Sequence, residues 1–303
     1  MTYKKNKKIL FIGNLIISKF ILDTLYKNKD ITITGILTTR NNYNSDYYNL
    51  IPYAKFKNIP VLSSKKINSL SAFNWIVKQE PDWIIVVGLS YLLKGKILNK
   101  FKNRIIGYHP SDLPFNKGRH PLIWSVFLNL KKIGSSFFLI NKKIDNGNII
   151  SKKYFLNNSN LKMKHIYMKM IRVSQSQIKD VVDFINLKRK INFRKVKQGN
   201  LWRKRNKEDG KIDWRMGSDS ICNLVNALSW PYDGATFNYK NKNFKISSIK
   251  QVSNKNFSKE NNEPGKIIDV KNYYYPLVKT YDGVIKIVKY KPLFKFKIND
   301  YLI

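Results

Sequence analysis

The segment Arg104-Ile-Ile-Gly-Tyr-His-Pro-Ser-Asp-Leu-Pro-Phe-Asn-Lys-Gly-Arg-His-Pro-Leu-Ile-Trp124 joins a short apolar run to a loop rich in proline and glycine. The apolar run over 104–108 predicts a buried strand, which presents His109 at its carboxyl end. Proline and glycine oppose regular structure, so we expect an ordered loop over residues 110–120, here called the substrate loop. Active-site groups of open α/β sheets collect at this edge, which makes His109 a candidate catalytic residue.

A second apolar run, Ser136–Ile140, leads into the loop Asn141–Gly147 and is expected to carry Asp145 to the same sheet edge. An imidazole beside a carboxylate forms a proton-transfer pair, because the carboxylate fixes the tautomer and favours the cationic form. We therefore expect His109 and Asp145 to act together in proton transfer.

Apolar runs alternate with helical patterns along the first half of the chain. Predicted strands cover 9–13, 31–37, 83–87 and 104–108, and the clearest predicted helices cover 15–26 and 67–78. This alternation is typical of βαβ units and predicts an α/β fold with a Rossmann-like, mostly parallel sheet. No Gly-x-Gly-x-x-Gly motif follows the first predicted strand, so we expect neither NAD nor a flavin.

The second half of the chain predicts a separate, smaller domain. A helical pattern over 162–187 is expected to close the first domain, which we place at 1–190. The basic, polar stretch that follows is interpreted as a linker at 191–207. A predicted helix at 219–228 and short alternating runs then indicate a small β-barrel domain at 208–303.

The formal net charge is +38, from 57 Lys and Arg against 19 Asp and Glu. Such a surface attracts polyanions such as tRNA. Compositional bias is the alternative, because Lys, Asn and Ile are abundant together and the lysines are spread over the whole length. The single cysteine, Cys222, excludes an internal disulfide and favours a reducing cytoplasm. No apolar run is long enough to span a bilayer, so we expect a cytoplasmic protein with no membrane partner.

Several ordered motifs resemble the family of formyltransferases that use 10-formyltetrahydrofolate. They are His-x-Ser-x-Leu-Pro at 109–114, Gly-Arg-x-Pro-Leu-x-Trp at 118–124, Asp-x-Gly-x-Ile at 145–149, and further matches at 8–13, 81–88, 210–214, 231–235, 263–267 and 279–283. The resemblance covers essentially the whole chain. It implies formyl transfer to a primary amine, with the folate as co-substrate and an open β-barrel of the oligonucleotide-binding type as second domain.

The resemblance also implies roles for individual residues. His109 and Asp145 are implied to be catalytic. The residues implied to bind the folate are Tyr91, Leu92, Leu93, Arg119, Asn141, Lys142, Lys143, Ile144 and Asp145. Those implied to shape the substrate loop or contact the substrate are Ser111, Gly118 and His120. Too few further ligands accompany His109 for a metal site, since only Asp112 and Asp145 are nearby candidates, so no metal is expected.

One position departs from the family pattern. The family usually has Asn two residues before the catalytic His, where its amide helps to hold the formyl oxygen as negative charge develops. Gly107 occupies that position here. Either another donor is recruited, for which Asn116 on the substrate loop is the candidate, or catalysis is weakened or changed.

The acceptor is open between two classes. The stretch Asn116–Trp124 is closer to the amino-sugar formyltransferases, and the region Arg40–Tyr48 lacks a basic cluster; both favour a nucleotide-linked amino sugar. The positive charge favours the alternative acceptor, initiator Met-tRNA. A third reading is a non-catalytic homologue that binds nucleic acid. The oligomeric state is also open, a homodimer being one option.

Overall fold

The computed structural model describes residues 6–40, 45–158, 161–188, 198–252 and 261–303. The chain divides into two compact units. Unit 1 contains residues 1–121, 132–156 and 167–203, and unit 2 contains residues 122–131, 157–166 and 204–303. Part of the proposed linker, residues 191–197, lies outside the described residues.

Unit 1 is built on a seven-stranded sheet. Its strands are β1 (Lys7–Ile12), β2 (Ile31–Thr38), β3 (Val61–Ser63), β4 (Trp83–Val86), β5 (Ile105–His109), β7 (Lys132–Leu139) and β8 (Ile149–Leu156). The strand order is β3-β2-β1-β4-β5-β7-β8. The first five strands in this order pair in parallel, whereas β7 is antiparallel to both β5 and β8. Two short strands, β6 (Lys117–Gly118) and β9 (Leu201–Trp202), pair separately.

Helices follow most of the strands. They are α1 (Ile16–Tyr26), α2 (Ile51–Phe56), α3 (Leu70–Lys78), α4 (Lys96–Lys100), α5 (Pro121–Phe127), α6 (Met163–Ser176), α7 (Ile178–Ile185) and α8 (Ser218–Ala227). The central strands are apolar on both faces: residues 9–12 of β1 and 84–85 of β4 have no exposed surface. Burial on both faces is what a parallel sheet covered by helices requires.

The helical pattern predicted over 162–187 is divided into α6 and α7 at Gln177. This side chain is fully buried, and its Nε2 donates to the Ser135 carbonyl oxygen at 3.1 Å and to Oγ of Ser151 at 3.1 Å. Its Oε1 accepts from Oγ of Ser135 at 2.6 Å. The apolar periodicity continues across the break, and therefore the pattern did not reveal it.

Unit 2 contains a five-stranded antiparallel sheet. Its strands are β10 (Ala235–Tyr239), β11 (Lys242–Val252), β12 (Ile267–Lys271), β13 (Tyr275–Lys279) and β14 (Val284–Lys291), in the order β10-β11-β14-β13-β12. Aromatic side chains fill one face, with Phe237 and Phe244 stacked at 5.2 Å between ring centroids. The alternation predicted for this region agrees with a sheet that is buried on one face.

The predicted fold class is confirmed: a Rossmann-like, mostly parallel sheet and a separate, smaller antiparallel β domain. Strand β8 was missed, because charged and apolar residues are mixed over its last five residues, 152–156. No helix in the described ranges combines the length and the hydropathy needed to cross a bilayer.

Candidate active site

His109 is the last residue of β5 and lies at the carboxyl edge of the parallel strands. Its side chain is 11% exposed, and its Nε2 atom is buried with no hydrogen-bond partner among the described residues. A buried polar atom without a partner costs free energy, and such atoms persist where a ligand or a reaction uses them. The sheet edge therefore presents an imidazole nitrogen that is available for proton exchange.

Asp145 approaches His109 from the hairpin loop 140–148 between β7 and β8. Its Oδ2 atom lies 3.7 Å from Nε2 of His109, which is within ion-pair distance but too far for a hydrogen bond. The same oxygen accepts a hydrogen bond of 3.0 Å from the Gly118 N–H. Asp145 therefore acts on His109 through its charge, and its hydrogen bond fixes the substrate loop instead of the imidazole.

The approach of Asp145 does not follow from strand direction. Because β7 is antiparallel to β5, its last residue, Leu139, pairs with Ile106 and not with His109. The hairpin loop itself must bring the carboxylate close to the imidazole. A Cβ at Gly147 would lie 1.5 Å from the Leu139 carbonyl oxygen, so this tight hairpin needs a glycine there.

Burial lowers the pKa of His109, whereas the Asp145 carboxylate and the backbone of Asn116 act in the opposite direction. Since desolvation is the largest of these effects, the imidazole is neutral at pH 7. A neutral imidazole can accept a proton, as a general base must. The sequence alone suggested a cationic imidazole, because it displays the carboxylate but not the burial.

Strands β7 and β8 hold the base of the substrate loop. Oγ of Ser136 donates to the Ser111 carbonyl oxygen at 2.7 Å, and Nζ of Lys152 forms an ion pair of 2.7 Å with Oδ1 of Asp112. A Cβ at Gly134 would lie 2.3 Å from the Asp112 nitrogen, so the loop backbone packs directly on β7. These contacts fix the loop backbone immediately after β5.

The far half of the substrate loop is held by a segment that the sequence placed in the linker. Strand β6 pairs in parallel with β9. The Asn116 N–H donates to Oδ1 of Asn200 at 2.8 Å, and the Lys117 N–H donates to the Asn200 carbonyl oxygen at 3.2 Å. Sequence reasoning missed Asn200; the available signal was the pair Gly199-Asn200 within a basic stretch.

The position of the family amide is filled by apolar side chains. A Cβ at Gly107 would lie 2.9 Å from Cγ1 of Ile140 and 3.1 Å from Cε1 of Phe138. Asn116 lies on the substrate loop with φ of 60°, and its backbone contributes to the surroundings of His109. The loop therefore brings the backbone of Asn116 next to the imidazole, and its side-chain amide stays the predicted replacement donor.

Arg119 connects the substrate loop to the loop after β4. Its Nη1 donates to the Ser90 carbonyl oxygen at 2.6 Å. The next residues, Tyr91 and Leu92, are 44% and 49% exposed, whereas Leu93 is anchored in the core at 6%. Partly exposed apolar side chains beside convergent polar groups are typical of a site for a flat organic ligand.

The remaining predicted residues are spread over two loops. Asn141, Lys142, Lys143 and Ile144 are exposed on the hairpin loop, where Oδ1 of Asn141 accepts from the Lys143 N–H at 2.8 Å. His120 is half-buried, with φ of 54°, at the end of the substrate loop. Within the described ranges, no three His, Cys, Asp or Glu side chains are grouped closely enough to hold a metal ion.

Comparison with known protein families gives two matches, which together cover most of the chain. Residues 8–182 match the family model described as formyl transferase, and residues 204–299 match the model for the formyl transferase C-terminal domain. The chain belongs to the formyl transferase family. These matches confirm the resemblance to the formyltransferases that the sequence motifs indicated, and they confirm the prediction of a formyl-transferring enzyme.

Relatives of two kinds are similar to this formyltransferase. The methionyl-tRNA formyltransferase of Finegoldia magna is 27% identical over 270 residues, which are 87% of this chain and 85% of the relative. A solved sugar 3N-formyl transferase, WlaRD, in the presence of dTDP and 5-N-formyl-THF, has a TM-score of 0.65 at 21% identity. The match covers 93% of this chain and 97% of the WlaRD chain. The N-formyltransferase of Helicobacter canadensis, in complex with folinic acid and dTDP-3-aminofucose, has a TM-score of 0.65 at 20% identity. That match covers 93% of this chain and 98% of the Helicobacter chain. The two structures establish the likeness of fold.

Proposed function

We propose that this formyltransferase transfers a formyl group from 10-formyltetrahydrofolate to a primary amine on a nucleotide-linked amino sugar. The observation that carries the proposal is the buried Nε2 of His109, which makes no hydrogen bond to the described residues and lies 3.7 Å from the Asp145 carboxylate. A proton acceptor at the carboxyl edge of a parallel sheet, next to an ordered loop, is what amine acylation requires.

The proton transfers that the reaction needs assign the role of general base to His109. When bound, the folate supplies the formyl carbon, which leaves N10 and forms a new bond to the amine nitrogen. The attacking amine must lose a proton, and the neutral His109 accepts it. The Asp145 charge favours the resulting imidazolium, which can then return the proton to the departing nitrogen.

The formyl oxygen becomes more negative during attack and needs a hydrogen-bond donor. Because Ile140 and Phe138 fill the space beside Gly107, we assign this role to the Asn116 amide. Its side chain makes no hydrogen bond within the described part of the chain. The recruited amide would come from the substrate loop and not from the catalytic strand.

The residues present are suited to a folate. Tyr91 and Leu92 offer partly exposed apolar surface, and Arg119 fixes their loop against the substrate loop through Ser90. The hairpin loop 141–144 adds amide and cationic groups. These groups would hold a flat pterin and its anionic tail.

The acceptor assignment rests on the substrate loop. Its sequence, Asn116-Lys-Gly-Arg-His-Pro-Leu-Ile-Trp124, resembles the amino-sugar branch of the family. The two solved neighbours with a TM-score of 0.65 carry nucleotide or nucleotide-sugar ligands, which supports the same acceptor class. The region at 40–48 adds no basic cluster for a tRNA stem, although 41–44 lie outside the described residues.

Met-tRNA is the second candidate acceptor. The similarity to methionyl-tRNA formyltransferases extends over 87% of this chain at 27% identity, and the net charge of +38 favours an RNA partner. Both acceptors present a primary amine, so the same proton transfer by His109 would serve either.

The proposal is tested by measuring formyl transfer from 10-formyltetrahydrofolate to a panel of dTDP- and UDP-linked 3-amino and 4-amino sugars, with Met-tRNA in parallel. We expect turnover on a nucleotide sugar and none on the tRNA. Turnover on Met-tRNA alone would contradict the proposed amino-sugar acceptor and identify Met-tRNA as the acceptor instead. No turnover on any substrate, together with salt-sensitive RNA binding, would support a non-catalytic homologue that binds nucleic acid.

Asn116→Ala is expected to lower kcat about tenfold with little change in the KM for the folate. One oxyanion donor is worth more than this in a dry site, but the substrate loop is partly solvated. Asn58→Ala is the matched control, because Asn58 is an exposed residue with a similar φ of 53°. Equal rates for the Asn116 variant and the unchanged enzyme would remove the amide from the mechanism.

A further inference from the structure

Residues 198–203, here called the strap, run beside the substrate loop. Through β9 they pair with β6, although more than eighty positions of sequence separate the two strands. We infer that the strap is part of the catalytic site and that Asn200 is a positioning residue for Asn116. The inference rests on the proposed function, because it concerns the loop that would present the Asn116 amide.

Asn200 binds the substrate loop at two successive peptides. Its side-chain Oδ1 accepts from the Asn116 N–H at 2.8 Å, and its carbonyl oxygen accepts from the Lys117 N–H at 3.2 Å. Further along, the Arg119 N–H donates to the Trp202 carbonyl oxygen at 3.2 Å. These bonds fix consecutive backbone groups of the loop, and thereby the direction of the side chains between them.

Close backbone approach at two glycines shows how little space separates the strap from the loop. A Cβ at Gly199 would lie 1.9 Å from the Pro114 carbonyl oxygen, and a Cβ at Gly118 would lie 2.3 Å from the Trp202 carbonyl oxygen. Gly118 also has φ of 100°, which other residues rarely adopt. Each of the two segments thus has a glycine at the point where the other segment passes closest.

The backbone of Asn116 explains why such a support is needed. Its φ of 60° is in the left-handed region, which costs free energy for a residue other than glycine. Asn tolerates this conformation better than most residues, but the loop must still be held in it. The strap holds the Asn116 peptide, while the Asp145 carboxylate holds Gly118 from another direction at 3.0 Å.

The first test compares Asn200→Ala with Asn200→Asp in the full-length enzyme. Alanine removes the acceptor of the Asn116 N–H, whereas aspartate keeps an oxygen at that position. We expect the alanine variant to lose about tenfold in kcat, with an unchanged KM for the folate, and the aspartate variant to recover most of that rate. Equal losses in both variants would overturn the positioning role.

A double-mutant cycle separates positioning from general destabilisation. If Asn200 acts through Asn116, the Asn116→Ala/Asn200→Ala enzyme should be only about as slow as Asn116→Ala alone. Independent effects that multiply to about a hundredfold would mean that Asn200 does not act through this amide, and the inference would fail.

The glycine at 199 provides a larger perturbation with a matched control. Gly199→Ala is expected to push the strap off the loop, whereas Gly210→Ala places its Cβ no closer than 3.4 Å to other atoms and should keep wild-type activity. Deuterium uptake by a peptide covering 113–120 should rise in Gly199→Ala and Asn200→Ala, and not in Gly210→Ala. Unchanged uptake in the first two variants would contradict the inference.

These readouts distinguish the inference from the proposed function. A wild-type enzyme without folate-dependent formyl transfer would refute the proposed function, whatever the exchange data show. A wild-type enzyme that is active, with Asn200→Ala equally active and equally protected, would refute the positioning role alone.

Discussion

Replacing His109 by alanine is expected to lower kcat by about 10²–10⁴-fold, the range that general acid–base catalysis supplies. The loss should fall on kcat and not on the KM for the folate, because the imidazole acts on the proton of the amine. Purified enzyme is assayed with the acceptor identified by the panel, under saturating folate, and its thermal unfolding is recorded alongside.

The matched control for this prediction is His165→Ala. His165 is an exposed residue of α6 and has no part in the proposed chemistry. It should leave kcat unchanged. If His109→Ala kept more than a tenth of the activity while His165→Ala kept all of it, His109 would not be the base.

Asp145→Asn is expected to lower kcat by about 10²–10³-fold and to shift the pH profile. The asparagine oxygen can still accept from the Gly118 N–H, so the substitution removes mainly the charge. Asp145 raises the pKa of His109 against the larger effect of burial, and without it that pKa falls further. In the proposed mechanism the neutral imidazole is the active form, so activity is lost as pH falls through this pKa. The acidic limb of the pH profile should therefore move to lower pH.

The pH dependence of kcat/KM is the measurement, with Asp213→Asn as control. Asp213 is paired with the exposed Arg215 at 2.8 Å. Removing this pair should leave the acidic limb where it is in the unmodified enzyme, since surface ion pairs contribute little. An acidic limb that moves to higher pH in Asp145→Asn would contradict the assigned electrostatics.

The fold could be predicted well where one physical signal dominates. The apolar runs at 9–13 and 83–87 predicted two central parallel strands, and residues 9–12 and 84–85 of these strands have no exposed surface. Burial on both faces requires such continuous apolar runs. The break at Gln177 could not be predicted, since it depends on hydrogen bonds to Ser135 and Ser151, which are distant in sequence. Strand β8 was missed because charged and apolar residues are mixed over 152–156. Periodicity reports which face is buried but not where hydrogen bonds interrupt a helix.

The sequence predicted that His109 and Asp145 lie close together, but not the electrostatics of the pair. The motif identified His109 and Asp145, and the structure brings them to 3.7 Å. The motif could not give the direction in which the pKa of His109 is shifted, because that direction depends on burial of the side chain in the folded unit. Nor could it indicate that β7 runs away from His109, or that the strap supports the substrate loop from a region interpreted as linker.

The pairing of β6 with β9 also has a consequence for the order of events during synthesis. The Asn116 N–H and the Oδ1 that accepts its hydrogen bond are 84 residues apart. At typical elongation rates the loop leaves the ribosome about 4–17 s before its support. Throughout this interval the substrate loop of the nascent chain lacks the hydrogen bonds that the strap later supplies, and on the proposed role of Asn200 the loop reaches its working conformation only when the strap has joined it.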